Sequence, residues 1–175
     1  MKMIRTYGFA LTFTMLLSGC VINYDDSSVF SHISIGDGSI AVHAKSAPDA
    51  IVNPAGDLSI DRKAVALTPD QRDLLKQYYA QVMAVRDDGI ATGKAGAAMA
   101  GHAMGSVASG LAHGNPDSIG PAIEARAKGV EAKAMAVCND VAALQAKQDA
   151  IANALPVFKP YALINGKEVS DCRSQ

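Results

Sequence analysis

The stretch that decides the fold is residues 93–114, GKAGAAMAGHAMGSVASGLAHG. Seven of the chain's 15 glycines fall between Gly89 and Gly114. Glycine is the poorest ordinary helix former, yet no proline interrupts the run and alanine fills most of its gaps. Three readings compete: a flexible glycine loop, a membrane-seeking segment, and a helix thinned so that a neighbour packs close. On a helix, Ala97, Gly101, Gly105 and Ser109 are four apart and form one small-residue stripe. Five interior glycines (Gly93, Gly96, Gly101, Gly105, Gly110) would cost about 5 kcal/mol against alanine, comparable to a domain's whole stability. Close backbone approach is the expected offset, the neighbour being either a second helix or a second copy of the chain. The membrane reading rests on small-xxx-small packing in lipid. Against it stand His102, Ser106 and Ser109, with Val107 and Leu111 the only strong apolar residues between 95 and 112.

The sequence on either side favours the helix. Thr68-Pro69-Asp70-Gln71 reads as a helix start, with Thr68 as N-cap, Pro69 in the first helical position and Gln71 closing a capping box. Leu75, Tyr78, Val82 and Val85 then line one face at helical spacing. Asn115-Pro116 repeats the start signal and opens a second helix to about Leu155. In that helix Ile123, Val130, Val137, Leu144 and Ile151 are seven apart, and Ala127, Ala134, Val141, Gln148 and Leu155 fall between them. This is a heptad seam with one polar exception, Gln148, and its simplest partner is the preceding helix folded back at Gly114-Asn115.

Upstream, apolar residues alternate: Ile33 and Ile35, then Ile40 and Val42, around Gly36-Asp37-Gly38. This reads as a β-hairpin. Ala50-Ile51-Val52, Leu58-Ser59-Ile60 and Ala64-Val65-Ala66, separated by turn residues, extend it to four or five short strands. Such a sheet needs a helical layer to bury a face. The predicted class is therefore α+β, a small antiparallel sheet on a long antiparallel helical hairpin. The divisions are a sheet at 32–67, a helical hairpin at 68–155 in the same domain, and a tail at 156–175. In the tail, Asn165-Gly166 reads as a tight turn between Ala162-Leu163-Ile164 and Glu168-Val169.

Residues 1–19 read as a lipoprotein signal peptide. Lys2 and Arg5 give a positive start, Tyr7 to Leu16 an apolar run, and Leu17-Ser18-Gly19-Cys20 resembles the bacterial lipobox. The Cys20 thiol would carry a diacylglyceryl thioether and, after cleavage, an N-acyl chain, palmitate being typical. Such chains anchor at about 0.8 kcal/mol per buried methylene. Residues 20–31 would then be the lipidated cysteine and its tether. Val21 rather than aspartate after the cysteine points to the outer membrane, facing the periplasm. Cys138 and Cys172 remain, an even number in an oxidising compartment, and are expected to pair as a disulfide.

Chemistry is harder to find. The 175 residues are 49% hydrophobic, 19% charged and 5% aromatic, with a formal net charge of −1. No basic field invites nucleic acid. His32 and His43 could meet across the first hairpin, but no histidine pair has zinc-ligand spacing, so no metal site is expected. Gly36-Asp37-Gly38-Ser39 lacks the strand–turn–helix setting of a nucleophile elbow. No phosphate loop or dinucleotide fingerprint occurs. No catalytic residues and no cofactor beyond the Cys20 lipid are predicted.

DGSIAVHAKSAPDAIVNPAGDLSIDRKAVALTPDQRDLLKQYYAQV, followed by GKAGAAMAGHAMGSVASGL, resembles the YggN-like family of proteobacterial envelope proteins. The likeness covers about Ile33 to Leu155. It implies a periplasmic envelope protein and supplies no activity. The expectation is an anchored lipoprotein with a structural or protein-interaction role, meeting an envelope partner or another copy of itself. The alternative is a membrane-acting or lipid-binding protein that uses the small-residue stripe.

Overall fold

The computed structural model describes residues 31–113 and 119–174. The expected signal peptide at 1–19, Cys20, the expected tether up to residue 30 and the expected Gly114-Asn115 turn with its Asn115-Pro116 cap lie outside the described residues. The fold is α+β. A five-stranded antiparallel meander, in the order β1-β2-β3-β4-β5, packs on two long helices. The strands are β1 (Ile33–Gly36), β2 (Ser39–Val42), β3 (Ala50–Val52), β4 (Leu58–Ile60) and β5 (Lys63–Ala64). The helices are α1 (Pro69–His113), α2 (Ile119–Ala154) and α3 (Gly166–Arg173), with a 3-10 helix at Pro156–Tyr161.

The first hairpin turns where its sequence allows. Gly36 pairs with Ser39, leaving Asp37 and Gly38 as a two-residue loop with φ of 51° and 72°. That is the sense of turn matched to strand twist. The register puts Ile33, Ile40, Val42, Ala50, Val52 and Leu58 on one buried face. Against this face α1 lays Leu75, Tyr78, Val82 and Val85, and α2 contributes Val141, Leu144 and Ile151. The tail closes the core with Phe158, Tyr161, Ile164 and Val169. Phe158 meets Tyr78 edge-on with ring centroids 5.7 Å apart, a favoured aromatic geometry.

The start of α1 is fixed on three sides. Thr68 Oγ1 accepts from the Gln71 N–H (3.2 Å) and Gln71 Oε1 accepts from the Thr68 N–H (3.0 Å), a reciprocal capping box. The Gln71 amide also donates to the Ala154 carbonyl at the end of α2 (2.8 Å), one of the helix-end acceptors that has no partner within its own helix. Gly56, at φ 77°, sits so close to this turn that a Cβ there would run into the Arg72 carbonyl and side chain. Asp57 forms an ion pair with Arg72 beside it.

α1 runs unbroken through Gly89 and the glycine run to His113. α2 returns antiparallel along it. Gln71 meets Ala154, Lys147 donates to Gln77, and Gln81 reaches Asp140. The heptad seam is buried from Val141 to Leu155 but only half-buried from Ile123 to Val137, with Ala134 exposed, and its polar exception has a purpose. Gln148 is 1% exposed, and its Oε1 accepts from the N–H groups of Leu163 and Ile164 at 2.9 and 3.0 Å. Its Nε2 donates to the Ile164 carbonyl at 2.9 Å. A buried amide with such partners costs little, and here it sews the tail to α2.

Two expectations are corrected. Asn165-Gly166 is no turn between extended segments. The Asn165 side chain accepts from the N–H groups of Lys167 and Glu168, and Glu168 returns a bond to Asn165 N–H (2.9 Å), so the pair starts α3. Asparagine serves turns and N-caps by the same hydrogen bonds, and Glu168 three residues on decides for the cap. The second correction concerns the small-residue stripe. Ala97, Gly101, Gly105 and Ser109 face solvent, not α2. Nothing lies within 4 Å of where a Cβ would stand at Gly93, Gly96, Gly101 or Gly105. The side turned to α2 is instead marked by the half-buried Thr92, Ala95, Met99, Ala103 and Ser106, three or four apart. Threonine, methionine and alanine fill that side, so α2 does not use the stripe.

Candidate functional site

Past Val85 the two helices leave the sheet behind. Among the side chains described in 86–113 and 119–137, none is buried. At 1.5 Å per residue, α1 extends about 40 Å beyond the sheet as one half of an arm. The two halves differ in chemistry. α2 over this length exposes Glu124, Arg126, Lys128, Glu131 and Lys133. The outer side of α1 exposes Ile90, Ala97, Gly101, Met104 and Ala108, with Met104 76% exposed. Lys94 is the one lysine, arginine, aspartate or glutamate between residues 89 and 113. No described helix is long and apolar enough to cross a membrane.

Where the arm leaves the base, Asp88 of α1 meets Asp140 of α2. A hydrogen bond with Asp140 raises the Asp88 pKa above its usual value, with desolvation and the Asp140 charge adding and Lys133 opposing. Gln81 Nε2 donates to the same Asp140 carboxylate at 3.2 Å.

Cys138 on α2 and Cys172 on α3 are joined by a disulfide, with Cα atoms 5.6 Å apart and 34 residues of sequence separation. In the chain-entropy account a loop of this length contributes about 3–4 kcal/mol. Cys20 lies outside the described residues.

The first hairpin gathers a cluster that the sequence reading did not assemble. His32 and His43 do meet across it, through the His43 N–H and the His32 carbonyl at 2.8 Å. The His43 ring engages other residues. Its Nε2 lies 2.8 Å from Ser34 Oγ and its Nδ1 2.8 Å from Asp49 Oδ1. A carboxylate only accepts, so Nδ1 carries a proton, and in the neutral imidazole Nε2 is then the acceptor for the serine hydroxyl. The three groups lie on the sheet face away from the core. Asp49 stands opposite His43, one step past the Val42–Ala50 pair, and Ser34 is diagonal to it. The buried Tyr161 donates its hydroxyl to the Pro48 carbonyl (2.5 Å), fixing the chain just before Asp49. The signal was present in the register of three strands, not in any local motif. A search for an elbow at Ser39 or a metal at two histidines passes over it. Among the described residues, no group of three or more histidine, cysteine or acidic side chains could hold a metal ion.

No curated protein and no solved structure matches this chain. Residues 27–120, more than half of its length, match the family described as "Protein of unknown function (DUF2884)", and the chain belongs to that family.

Proposed function

We propose that this chain is a lipidated, YggN-like member of its family. It is anchored through Cys20 to the periplasmic face of the outer membrane, and its helical arm binds a protein partner or a second copy of itself. One observation carries the interaction role. The outer side of α1 beyond Gly89 is nearly free of charge and built of alanine, glycine and exposed methionine, while the outer side of α2 is charged. Surfaces kept in water over such a length normally carry charge, and an uncharged, small-residue face admits close approach of another backbone. The glycines then have a use that α2 does not give them.

The anchor is tested by fatty-acid labelling of the full chain, with loss of label expected in Cys20→Ser. Retention of the label would sink the lipoprotein reading. The arm is tested with a photocrosslinking amino acid at position 104 of the full chain in intact envelopes, against position 131 on α2. Discrete protein adducts from 104 alone are expected. Monomer from both positions overturns the role, and adducts only to lipid favour the membrane-acting alternative.

A further inference from the structure

We propose that Ser34, His43 and Asp49 form a nucleophilic site that transfers an acyl group from a small activated ester to Ser34 Oγ and then to water. This is a second activity, on the sheet, independent of the arm and its partners.

The geometry is the first support. The contacts run Ser Oγ to Nε2 and Nδ1 to carboxylate, each 2.8 Å, the connectivity by which a histidine activates a serine and a carboxylate fixes its tautomer. The site is also held rather than dangling. Ser34 is on β1, His43 directly follows β2, and Asp49 directly precedes β3 behind a carbonyl pinned by Tyr161.

The sheet edge supplies the third element. β1 is an outer strand, and no described strand pairs with its far side. The bond between His43 N–H and the His32 carbonyl sets the alternation, so Ser34 and Gly36 bond inward to β2 while the N–H groups of Ile33 and Ile35 point to the open edge. The Ile35 N–H directly follows the nucleophile on that open edge and is the donor we assign to a developing oxyanion.

In the first step Ser34 Oγ attacks the ester carbonyl carbon as His43 Nε2 takes the hydroxyl proton. The tetrahedral adduct then expels the alcohol or phenol, which leaves with that proton from His43. Water attacks the acyl-Ser34 ester, giving a proton to His43, and the second tetrahedral adduct expels Ser34 Oγ, which takes that proton back from His43 as the carboxylic acid leaves. Side-chain exposures of 40% for His43 and 54% for Asp49 set the substrate class. Among the described residues, the site excludes little water and no wall encloses it to grip a large acyl chain. It therefore suits small esters with good leaving groups, turned over slowly.

The full chain is treated with p-nitrophenyl acetate and, separately, with a fluorophosphonate, which traps the same oxygen as fluoride leaves. Mass mapping on the unmodified sequence is expected to place the acetyl and phosphonyl groups on Ser34. That readout does not depend on any variant folding. Ser34→Ala should abolish the adduct, and His43→Gln should slow acylation by about 100-fold or more. Asp49→Asn should act in the same direction, with far-ultraviolet dichroism confirming each fold. Adducts only on lysines or other serines, or an unchanged rate in Ser34→Ala, overturn the proposal.

Discussion

The same two helices live two different lives. From Leu75 to Val85 and from Cys138 to Leu155 they bury side chains against a sheet, a 3-10 turn and each other. From residue 86 outward they bury none that is described. The base is held by the hydrophobic effect and a few fully satisfied polar ties. The arm is held by the pairing of two helices whose facing residues are only half-buried. Its described glycines, Gly89 to Gly105, lower helix propensity without any close contact among the described residues to offset the loss. A long helix can thus be secured at one end and keep the other end free for something outside the chain.

The comparison predicts unequal responses to mutation. The largest belongs to the base. Gln148→Ala removes the partners of two backbone N–H groups and one carbonyl in a buried site. Denaturant unfolding should show a loss of about 3–5 kcal/mol. A loss below about 1 kcal/mol would mean the tail is not part of the base. Next come the glycines, where the two regions should differ in sign. Gly56→Ala forces a side chain into α1 at a positive φ and should cost about 2 kcal/mol or more. Gly101→Ala or Gly105→Ala should instead stabilise the isolated chain by about 0.5–1 kcal/mol. If a partner packs on the stripe, those variants should also weaken the crosslink from position 104. A destabilising Gly105→Ala would break the contrast.

The smallest effect sits at the boundary. Asp88 has a raised pKa in the fold, so folding is favoured while it is protonated and loses stability as pH rises through the folded value. Asp88→Asn removes that loss. Calorimetry should find a small rise in melting temperature near neutral pH that vanishes below the ordinary carboxylate value of 3.8. A larger gain in acid than at neutrality would refute the assignment.

Much of the base could be read from residues alone. The alternation at Ile33 to Val42, the Thr68–Gln71 cap and the heptads of α2 are local patterns with local causes. Gln148 stood out as the polar residue in the seam, but its partners at Leu163 and Ile164 belong to a tail whose path no periodicity sets. Asn165 was misread because turns and caps share the same chemistry. The glycine run is helical as its sequence suggests, but spacing gives a stripe and not its direction, so whether it faced a second helix or a second copy was open until α2 was placed. Ser34, His43 and Asp49 were invisible for a related reason. Their meeting depends on the register of two successive strand pairs, and each residue alone looks like ordinary surface.

The bond between Cys138 and Cys172 makes a closed ring of the last part of α2, the 3-10 helix and α3. A protease that cuts the backbone once inside that ring releases nothing. The nicked chain gains one water in mass, still runs as a single species without reductant, and separates into two pieces only when the sulfurs are reduced. Damage to the tail would therefore leave the severed piece covalently attached to the arm and its sheet for as long as the surroundings stay oxidising.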